Sequence, residues 1–287
     1  HPTRSPERHH AVARVAADAL VAVWPDPEPD TALAGVLRAN TTALTGLAEE
    51  DLHRPDTHPV LFRAGRSLGE AGQVAAAIKY HQRLLDTVTR HPAPGHQPDT
   101  LTSRLYLAYW RGQAGDVPGA ITAYEELLAD QLRVLGRDHS ETLTARLYLA
   151  ALCGQAGDVV GAVTATEKLL ADRLRVLGPH HPHTLTTRGN LAHWHGKAGD
   201  AEGAATACEN LLTDMVRVLG PDHPQTLTTR HNLAHWRGEA GDPAGAVTGF
   251  GPPLLNRLGA PARRARAAAV TGGALALVAA CWALVLH

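Results

Sequence analysis

The chain has 287 residues with a hydrophobic content of 44%, enough to bury a substantial core, which argues against disorder. Its 27 Lys and Arg residues balance 28 Asp and Glu residues, so the net charge of −1 argues against a nucleic-acid partner. Cys153, Cys208 and Cys281 have no paired spacing, which argues against a disulfide framework and favours a reducing, intracellular setting. The first residue is His1 and not Met, and no signal sequence opens the chain, so we expect a fragment of a longer protein.

A repeat of 42 residues runs through the chain. Thr-Leu-Thr recurs at this spacing, beginning at Thr100, Thr142, Thr184 and Thr226. Gly-Asp recurs with it, at Gly115, Gly157, Gly199 and Gly241. A weaker copy with Ala71-Gly72-Gln73 precedes them at an offset of 43. We therefore predict five units, the outer two imperfect, over residues 56–258.

Each unit contains the pattern of two helices. Leu101, Leu105 and Ala108 have the three-and-four spacing of a helix face, which predicts helix A over residues 98–113. Gly115 and Asp116 are suited to end this helix and cap the next, which predicts helix B from Val117 to Val134. Such a pair cannot bury its apolar face alone, so neighbouring units are expected to stack.

Two units carry the residues of a known repeat family. Asn190-Leu191-Ala192-His193-Trp194 and Asn232-Leu233-Ala234-His235-Trp236 resemble tetratricopeptide repeats, more narrowly the 42-residue kinesin-light-chain type with its Leu-Gly-x-x-His-Pro-x-Thr connector. The resemblance covers residues 56–250 and implies an all-α fold, a right-handed α-solenoid of antiparallel helix pairs.

The chain is also similar to the repeat, or sensor, region of bacterial NB-ARC signal-transducing ATPases. In those proteins helices resembling Ala11 to Trp24 and Thr31 to Leu47 precede the repeats, so residues 1–55 are expected to form an N-terminal helical segment. A Walker phosphate loop is missing from the sequence, so the resemblance implies no ATPase activity.

Charged residues also follow the period. Arg104, Arg146, Arg188 and Arg230 repeat every 42 residues, as do Glu125, Glu167 and Glu209. Arg104 and Glu125 lie equally far from the turn between helices A and B, which predicts an ion pair within each unit. The alternative is a row of arginines that binds an acidic partner.

Positions that vary between units on one face of helix A are the candidate binding site. One position reads Tyr106, Tyr148, Asn190 and Asn232 across the units, and another reads Tyr109, Ala151, His193 and His235. Arrays of the family line their groove with helix A and use such Asn side chains to hold a peptide backbone. The predicted peptide-binding or partner-binding residues are Tyr106, Tyr109, Tyr148, Asn190, His193, Asn232 and His235. The alternative is a solvated surface with stacking contacts.

Catalytic and metal sites are not predicted. The spacings of His181/His183, His193/His195 and His231/His235 are ones that a metal could use, but most of these histidines belong to the repeat. We find no nucleophile elbow and no carboxylate pair apart from the repeat, so we predict no enzyme, no metal and no cofactor. Trp110, Trp194 and Trp236 share one register and are expected in the core or in the seam between units.

The period fails near the C-terminus. Pro252-Pro253 lies where helix B of the last unit should continue, which predicts a break. Residues 259–287 form a basic linker followed by twenty uncharged residues, Ala267 to Leu286. That segment is either a membrane anchor or a helix that covers the end of the solenoid.

These patterns predict a non-catalytic scaffold or sensor module that binds a peptide or a partner protein in a concave groove. Two alternatives stay open, the regulatory repeat region of a nucleotide-driven switch and a membrane-tethered adaptor. The expected location is cytoplasmic, with a possible C-terminal anchor at residues 267–286.

Overall fold

The computed structural model of the chain describes residues 6–25, 28, 31–90, 96–242 and 244–246. Within these residues all regular structure is helical, which confirms the predicted all-α class. Two compact units are present, with the boundary after Gln131. The predicted division into residues 1–55, 56–258 and 259–287 stays a prediction.

The helices follow one another in antiparallel pairs. The first unit contains α1 (Pro6–Val23), α2 (Thr31–Leu52), α3 (Pro59–Glu70), α4 (Val74–Arg90), α5 (His96–Gln113) and most of α6 (Val117–Val134). The second contains α7 (Ser140–Gln155), α8 (Val159–Leu177), α9 (Pro182–Lys197), α10 (Ala201–Leu219) and α11 (Pro224–Glu239). Residues 244–246 are again helical. Odd-numbered helices from α3 onwards are helix A of a repeat, and even-numbered ones are helix B.

The joint between helix A and helix B is built by the Ala-Gly-Asp triplet, as predicted. Gly157 has a φ of 107° and Gly199 a φ of 103°, a conformation that glycine adopts without steric cost. Asp158 then caps α8, because its side chain accepts a hydrogen bond from the backbone N–H of Gly161 at 2.9 Å. The triplet therefore both ends one helix and starts the next.

The connector histidine is the N-cap of helix A, a role that the sequence analysis did not assign. His181 Nδ1 accepts a hydrogen bond from the backbone N–H of His183 at 3.2 Å, and Pro182 is the first helical residue. His58, His139 and His223 cap α3, α7 and α11 in the same way. The missing N–H of the proline costs nothing at this position, so His-Pro is a compact start signal.

Successive A helices meet where a tryptophan packs on a glycine. A Cβ atom on Gly154 of α7 would lie 2.6 Å from the Trp194 ring of α9, and one on Gly196 would lie 2.6 Å from the Trp236 ring of α11. Trp194 and Trp236 are buried, as predicted for residues in the core or the seam, and these contacts place them in the seam between units. Glycine allows this approach because it has no Cβ.

The helices predicted before the repeats are present as α1 and α2. Ala17, Trp24 and Leu37 pack with Val60 and Leu61 of α3 in one buried cluster. In the described part of the chain, no helix is long and apolar enough to cross a membrane.

Two predictions at the C-terminus fall outside the described residues. They are the break at Pro252-Pro253 and the anchor or cover at residues 267–286. Both stay predictions, and comparing membrane fractionation before and after deletion of residues 267–287 tests the anchor.

Candidate functional site

The seven predicted binding residues divide by accessibility. Tyr106 is 2% exposed and stacks against the His81 ring with 4.6 Å between ring centroids. Tyr109, Tyr148, Asn190 and His193 are also buried, whereas Asn232 is half-buried and His235 is exposed. Both accessible residues lie on α11. Their role in binding stays a prediction.

Burial also sets the chemistry of His193. Its ring contacts Trp194 edge-on, with centroids 4.9 Å apart, and lies 5.8 Å from the Trp236 ring. Burial, together with the charges of Lys197 and His235, lowers the pKa of His193 to about 4. The imidazole is therefore neutral at pH 7 and acts as a packing group in the seam between α9 and α11.

A different row of helix-A residues is open to solvent. We call it the helix-A row, and all its members are half-buried: Arg146, Leu149 and Cys153 on α7; Arg188, Leu191 and His195 on α9; Arg230 and Arg237 on α11. Residues three and four apart share one face of a helix, so each set forms a short stripe. The sequence analysis gave the row of arginines only as the alternative to pairing within each unit, and it did not include the leucines, Cys153 or His195 of the row. The spacing of 188, 191 and 195 was the available signal.

Arg146 and Arg188 of the row pair with aspartates, so the predicted pairing of these arginines with Glu167 and Glu209 is wrong. Arg188 donates to Asp214 at 2.7 Å and Arg146 to Asp172 at 2.8 Å. In the first unit, Arg104 donates to Asp130 at 2.6 Å. Every partner lies 26 residues beyond its arginine, five positions later in helix B than predicted.

Side-chain direction explains this shift. Side chains lean toward the N-terminus of their own helix, so the arginine reaches away from the joint and the aspartate reaches back toward it. Five residues of helix B span about 7 Å, which this lean covers. They also turn the chain by about 140°, so Glu125, Glu167 and Glu209 point elsewhere and are exposed.

These glutamates connect consecutive units within the second compact unit. Arg237 of α11 donates to Glu209 of α10 at 3.1 Å, and His195 of α9 lies 4.0 Å from Glu167 of α8. Both contacts are exposed, so each is expected to contribute little to stability.

A cluster of arginines surrounds Asp172. Its carboxylate accepts hydrogen bonds from Arg137 at 2.8 Å, Arg146 at 2.8 Å and Arg175 at 3.2 Å. Burial raises the pKa of Asp172, but hydrogen bonds from Arg146 and Arg175 outweigh burial, and the pKa falls below its usual value of 3.8. Arg175 also donates to Asp138 at 2.9 Å. Three cations therefore surround two carboxylates.

The histidine pairs are placed by the fold. His181 Nδ1 accepts the N-cap hydrogen bond, and its ring lies 5.0 Å from that of His183. Among the residues that the structure describes, no group of three or more His, Cys, Asp or Glu side chains is placed to hold a metal ion.

Comparison with known families identifies the repeat. Residues 100–141 and 184–225 match the family model described as tetratricopeptide repeat. The chain contains tetratricopeptide repeats. Comparison with curated proteins gives no match.

Solved structures similar to the chain include repeats of the kinesin-light-chain type. TPR-like repeats of a kinesin-light-chain-type protein from Podosopora anserina are 23% identical, with a TM-score of 0.55, covering 73% of this chain and 95% of that one. BtubC (BKLC) from P. vanneervenii is 18% identical, with a TM-score of 0.57 and 93% of both chains covered.

A third similar structure is a signal transduction ATPase with numerous domains, from Pyrococcus horikoshii, which has a tetratricopeptide repeat sensor. It is 10% identical with a TM-score of 0.50, covering 92% of this chain and 46% of that one. At these identities the similarity concerns the fold. The recognised repeat type is confirmed, and tetratricopeptide repeats are protein-interaction scaffolds.

Proposed function

We propose that the chain is a non-catalytic interaction module that binds an extended segment of a partner protein along the helix-A row. The observation that carries this proposal is the recurrence of half-buried Arg and Leu side chains on α7 and α9, one set per repeat. A row with one set per unit suits a segment that lies across several helices.

The chemistry of the row favours a segment with acidic and apolar side chains. Arg146 and Arg188 are each held in place by an aspartate, and half-buried Leu149 and Leu191 follow them on the same face. The three cations around Asp172 and Asp138 leave positive charge near α7. Charge of this kind steers an acidic partner and sets its register.

Asn232 and His235 extend the binding surface onto α11 in this proposal. They are the accessible members of the predicted seven, and they lie on the same helix as Arg230 and Arg237. Buried residues such as Tyr106 and Asn190 act by fixing how neighbouring helices pack. A partner contacts these buried residues directly only if its binding separates the neighbouring A helices.

Selection from a peptide-display library with the full chain tests the row. We expect selected peptides to bind the wild type and to lose binding to Leu191→Glu, because the added carboxylate repels an acidic segment. Val160→Glu is the matched control, since Val160 is 75% exposed on α8 and outside the row. Equal binding to Leu191→Glu and the wild type, with helical circular dichroism intact, would overturn the proposal.

The seam residues have their own variant. Asn190→Ala combined with Asn232→Ala removes the amides that similar arrays use to hold a peptide backbone. Loss of binding in this double variant alone would move the site from the helix-A row to the seam.

A second candidate function is the repeat region of a nucleotide-driven switch. It is favoured by similarity to a signal transduction ATPase with a tetratricopeptide repeat sensor, of which the chain covers 46%. Sequencing the gene beyond these 287 residues tests it. A Walker phosphate loop in the same reading frame supports the switch, and its absence there removes this candidate.

A further inference from the structure

An ion pair closes one repeat of the second unit at the end away from its Ala-Gly-Asp joint. Arg175, near the end of α8, donates to both carboxylate oxygens of Asp138, which lies in the connector before α7. These hydrogen bonds hold the pKa of Asp138 below its usual value. The two side chains are 53% and 43% exposed. An arginine at the end of helix B therefore binds a carboxylate at the surface of this repeat.

The next repeat keeps the arginine and replaces the carboxylate. Arg217 of α10 and His180 lie 42 residues beyond Arg175 and Asp138. His180 stands in the connector before α9, so an imidazole occupies the position that a carboxylate occupies in the preceding repeat. The two repeats therefore differ in what the outer side of the arginine contacts.

His180 does not supply the acceptor that the aspartate supplies. Arg217 Nη2 lies 3.1 Å from Nδ1 and 3.3 Å from Nε2 of the same imidazole ring. The lone pair of an imidazole nitrogen points outward in the plane of the ring, so a donor nearly equidistant from both nitrogens is aligned with neither. The guanidinium therefore packs on the ring without a directional hydrogen bond.

The donors at this position face solvent. The Arg217 side chain is 60% exposed, and His180 is exposed as well. Among the described residues, Asp214 is the one carboxylate that contacts Arg217, and the same carboxylate accepts from Arg188 of the helix-A row at 2.7 Å. A guanidinium has five N–H donors, and either neutral tautomer of an imidazole keeps one. Two arginines thus share one carboxylate, which leaves an excess of positive charge beside N–H donors that face solvent.

A carboxylate is the group that this arrangement fits. A carboxylate from another molecule can accept from Arg217 as Asp138 accepts from Arg175 in the preceding repeat. An Asp or Glu side chain of a partner segment supplies such a group, and the positive charge steers it toward the arginine. Because Asp214 joins Arg217 to Arg188, this position adjoins the helix-A row.

We infer that Arg217 and His180 form a binding site for an Asp or Glu side chain of the partner, which we call the Arg217 site. The partner's carboxylate takes the place that Asp138 fills in the preceding repeat. This inference rests on the proposed function for the acidic character of the partner. It does not rest on the helix-A row, because neither residue of the site belongs to that row.

Exchanging the two acceptors tests the Arg217 site on the full chain. The probe is a fluorescein-labelled peptide of alternating Glu and Gly, and fluorescence anisotropy measures its affinity. His180→Asp gives Arg217 an internal carboxylate, so the peptide should bind about three- to tenfold more weakly than to the wild type. Asp138→His removes the internal carboxylate of Arg175, so it should open a second site and strengthen binding.

Two variants control for the change of charge alone. Val160→Asp adds a negative charge at an exposed position of the same unit, as His180→Asp does at the site. Glu167→Gln removes an exposed negative charge, as Asp138→His does. Each control should change the affinity by less than about twofold, as expected for charges outside the contact. Circular dichroism confirms that every variant keeps its helices.

The inference is overturned if His180→Asp and Val160→Asp bind the peptide equally well. It is also overturned if the wild type binds a peptide with Gln in place of Glu as tightly, or binds neither peptide. Leu191→Glu separates the site from the proposed function. Weaker binding to Leu191→Glu with no loss in His180→Asp removes the site and keeps the row, whereas the converse supports the site and removes the row.

Discussion

At the scale of single residues, Asp172 concentrates more contacts than any position the repeat pattern singled out. Its side chain is 10% exposed and accepts hydrogen bonds from three arginines. Removing its charge would leave Arg137, Arg146 and Arg175 close together without their shared partner. Asp172 is therefore expected to matter for the fold of the second unit.

Asp172→Asn should lower the free energy of unfolding by about 1 to 3 kcal/mol, because hydrogen bonds to a partly buried charge are lost. Glu167→Gln is the matched control, since Glu167 is the exposed residue first predicted to pair with Arg146, and it should change stability by less than about 0.5 kcal/mol. Urea unfolding followed by circular dichroism measures both. Equal losses of stability in the two variants would contradict the pairing of Arg146 with Asp172 and would support its predicted pairing with Glu167.

The pH dependence of this contribution has a definite sign. The pKa of Asp172 is lower in the folded chain than its usual value of 3.8, so the unfolded chain binds its proton first as pH falls. The stabilisation is complete above about pH 4 and decreases as pH falls through the folded pKa. Asp172→Asn should therefore lose less stability than the wild type between neutral pH and pH 3.

The sequence predicted which arginines form ion pairs but not which carboxylates they contact. The period identified Arg146 and Arg188 correctly as members of ion pairs but selected the wrong carboxylates. The sequence gives the height of a residue along its helix, whereas pairing also depends on the lean of each side chain and its angle around the axis. The register that holds Tyr106 and Tyr148 in two units holds Asn in the next two. Both tyrosines are buried, so this difference reflects how neighbouring helices pack, which the sequence alone does not show.

At the scale of helices, the glycine under each tryptophan sets how closely successive A helices approach. Gly154 lies against both the Trp194 ring and the Cβ of Ala162, so a methyl group there has no space. Gly189 on α9 is different, because an added Cβ would lie 3.4 Å from Leu211, an ordinary contact.

Gly154→Ala should therefore destabilise the chain by about 1 to 3 kcal/mol through overpacking. Gly189→Ala should stabilise it by about 0.5 to 1 kcal/mol, because alanine loses less conformational entropy in a helix. Thermal unfolding of the two variants provides the comparison. An increased stability of Gly154→Ala would contradict overpacking and would show that Trp194 can move to make room for the methyl group.

The helix boundaries were largely predictable from local chemistry. The Ala-Gly-Asp triplet located the start of α6 at Val117, and the apolar spacing located α5 to within two residues. The N-cap role of His181 was not predicted, because histidine is an uncommon cap and its ring position depends on the backbone of the connector. α2 likewise extends to Leu52, past a non-helical residue at Ala48.

At the scale of the whole chain, stability should follow the 42-residue unit. In arrays of this kind a repeat packs on the next one, so removing one complete repeat from the second unit joins surfaces that are equivalent in register. Deleting residues 158–199, from one Gly-Asp joint to the next, removes α8 and α9 and places Asp200 after Gly157.

This deletion should keep the helical signal per residue in circular dichroism and lower the midpoint of thermal unfolding. Deleting residues 158–178 instead removes α8 alone and places helix A after helix A, so the second unit should lose its folded structure. If both deletions behave alike, the repeat is not the unit of stability.

The fold of the molecule was predictable because the period recurs in every unit. Accessibility was not, since it depends on whether a further helix covers a given face. Asn190 and Asn232 occupy equivalent positions, yet only Asn232 on α11 is accessible.

The histidines that cap the A helices make helix capping depend on pH in a range where aspartate caps stay ionised. Each cap needs an unprotonated Nδ1, and burial lowers the pKa of His58, His181 and His223 accordingly. A proton taken up by any of them removes the acceptor and places a cation at the positive end of a helix dipole. Acidification therefore removes the same N-cap hydrogen bond in several repeats at once, and each added proton destabilises the start of one more A helix.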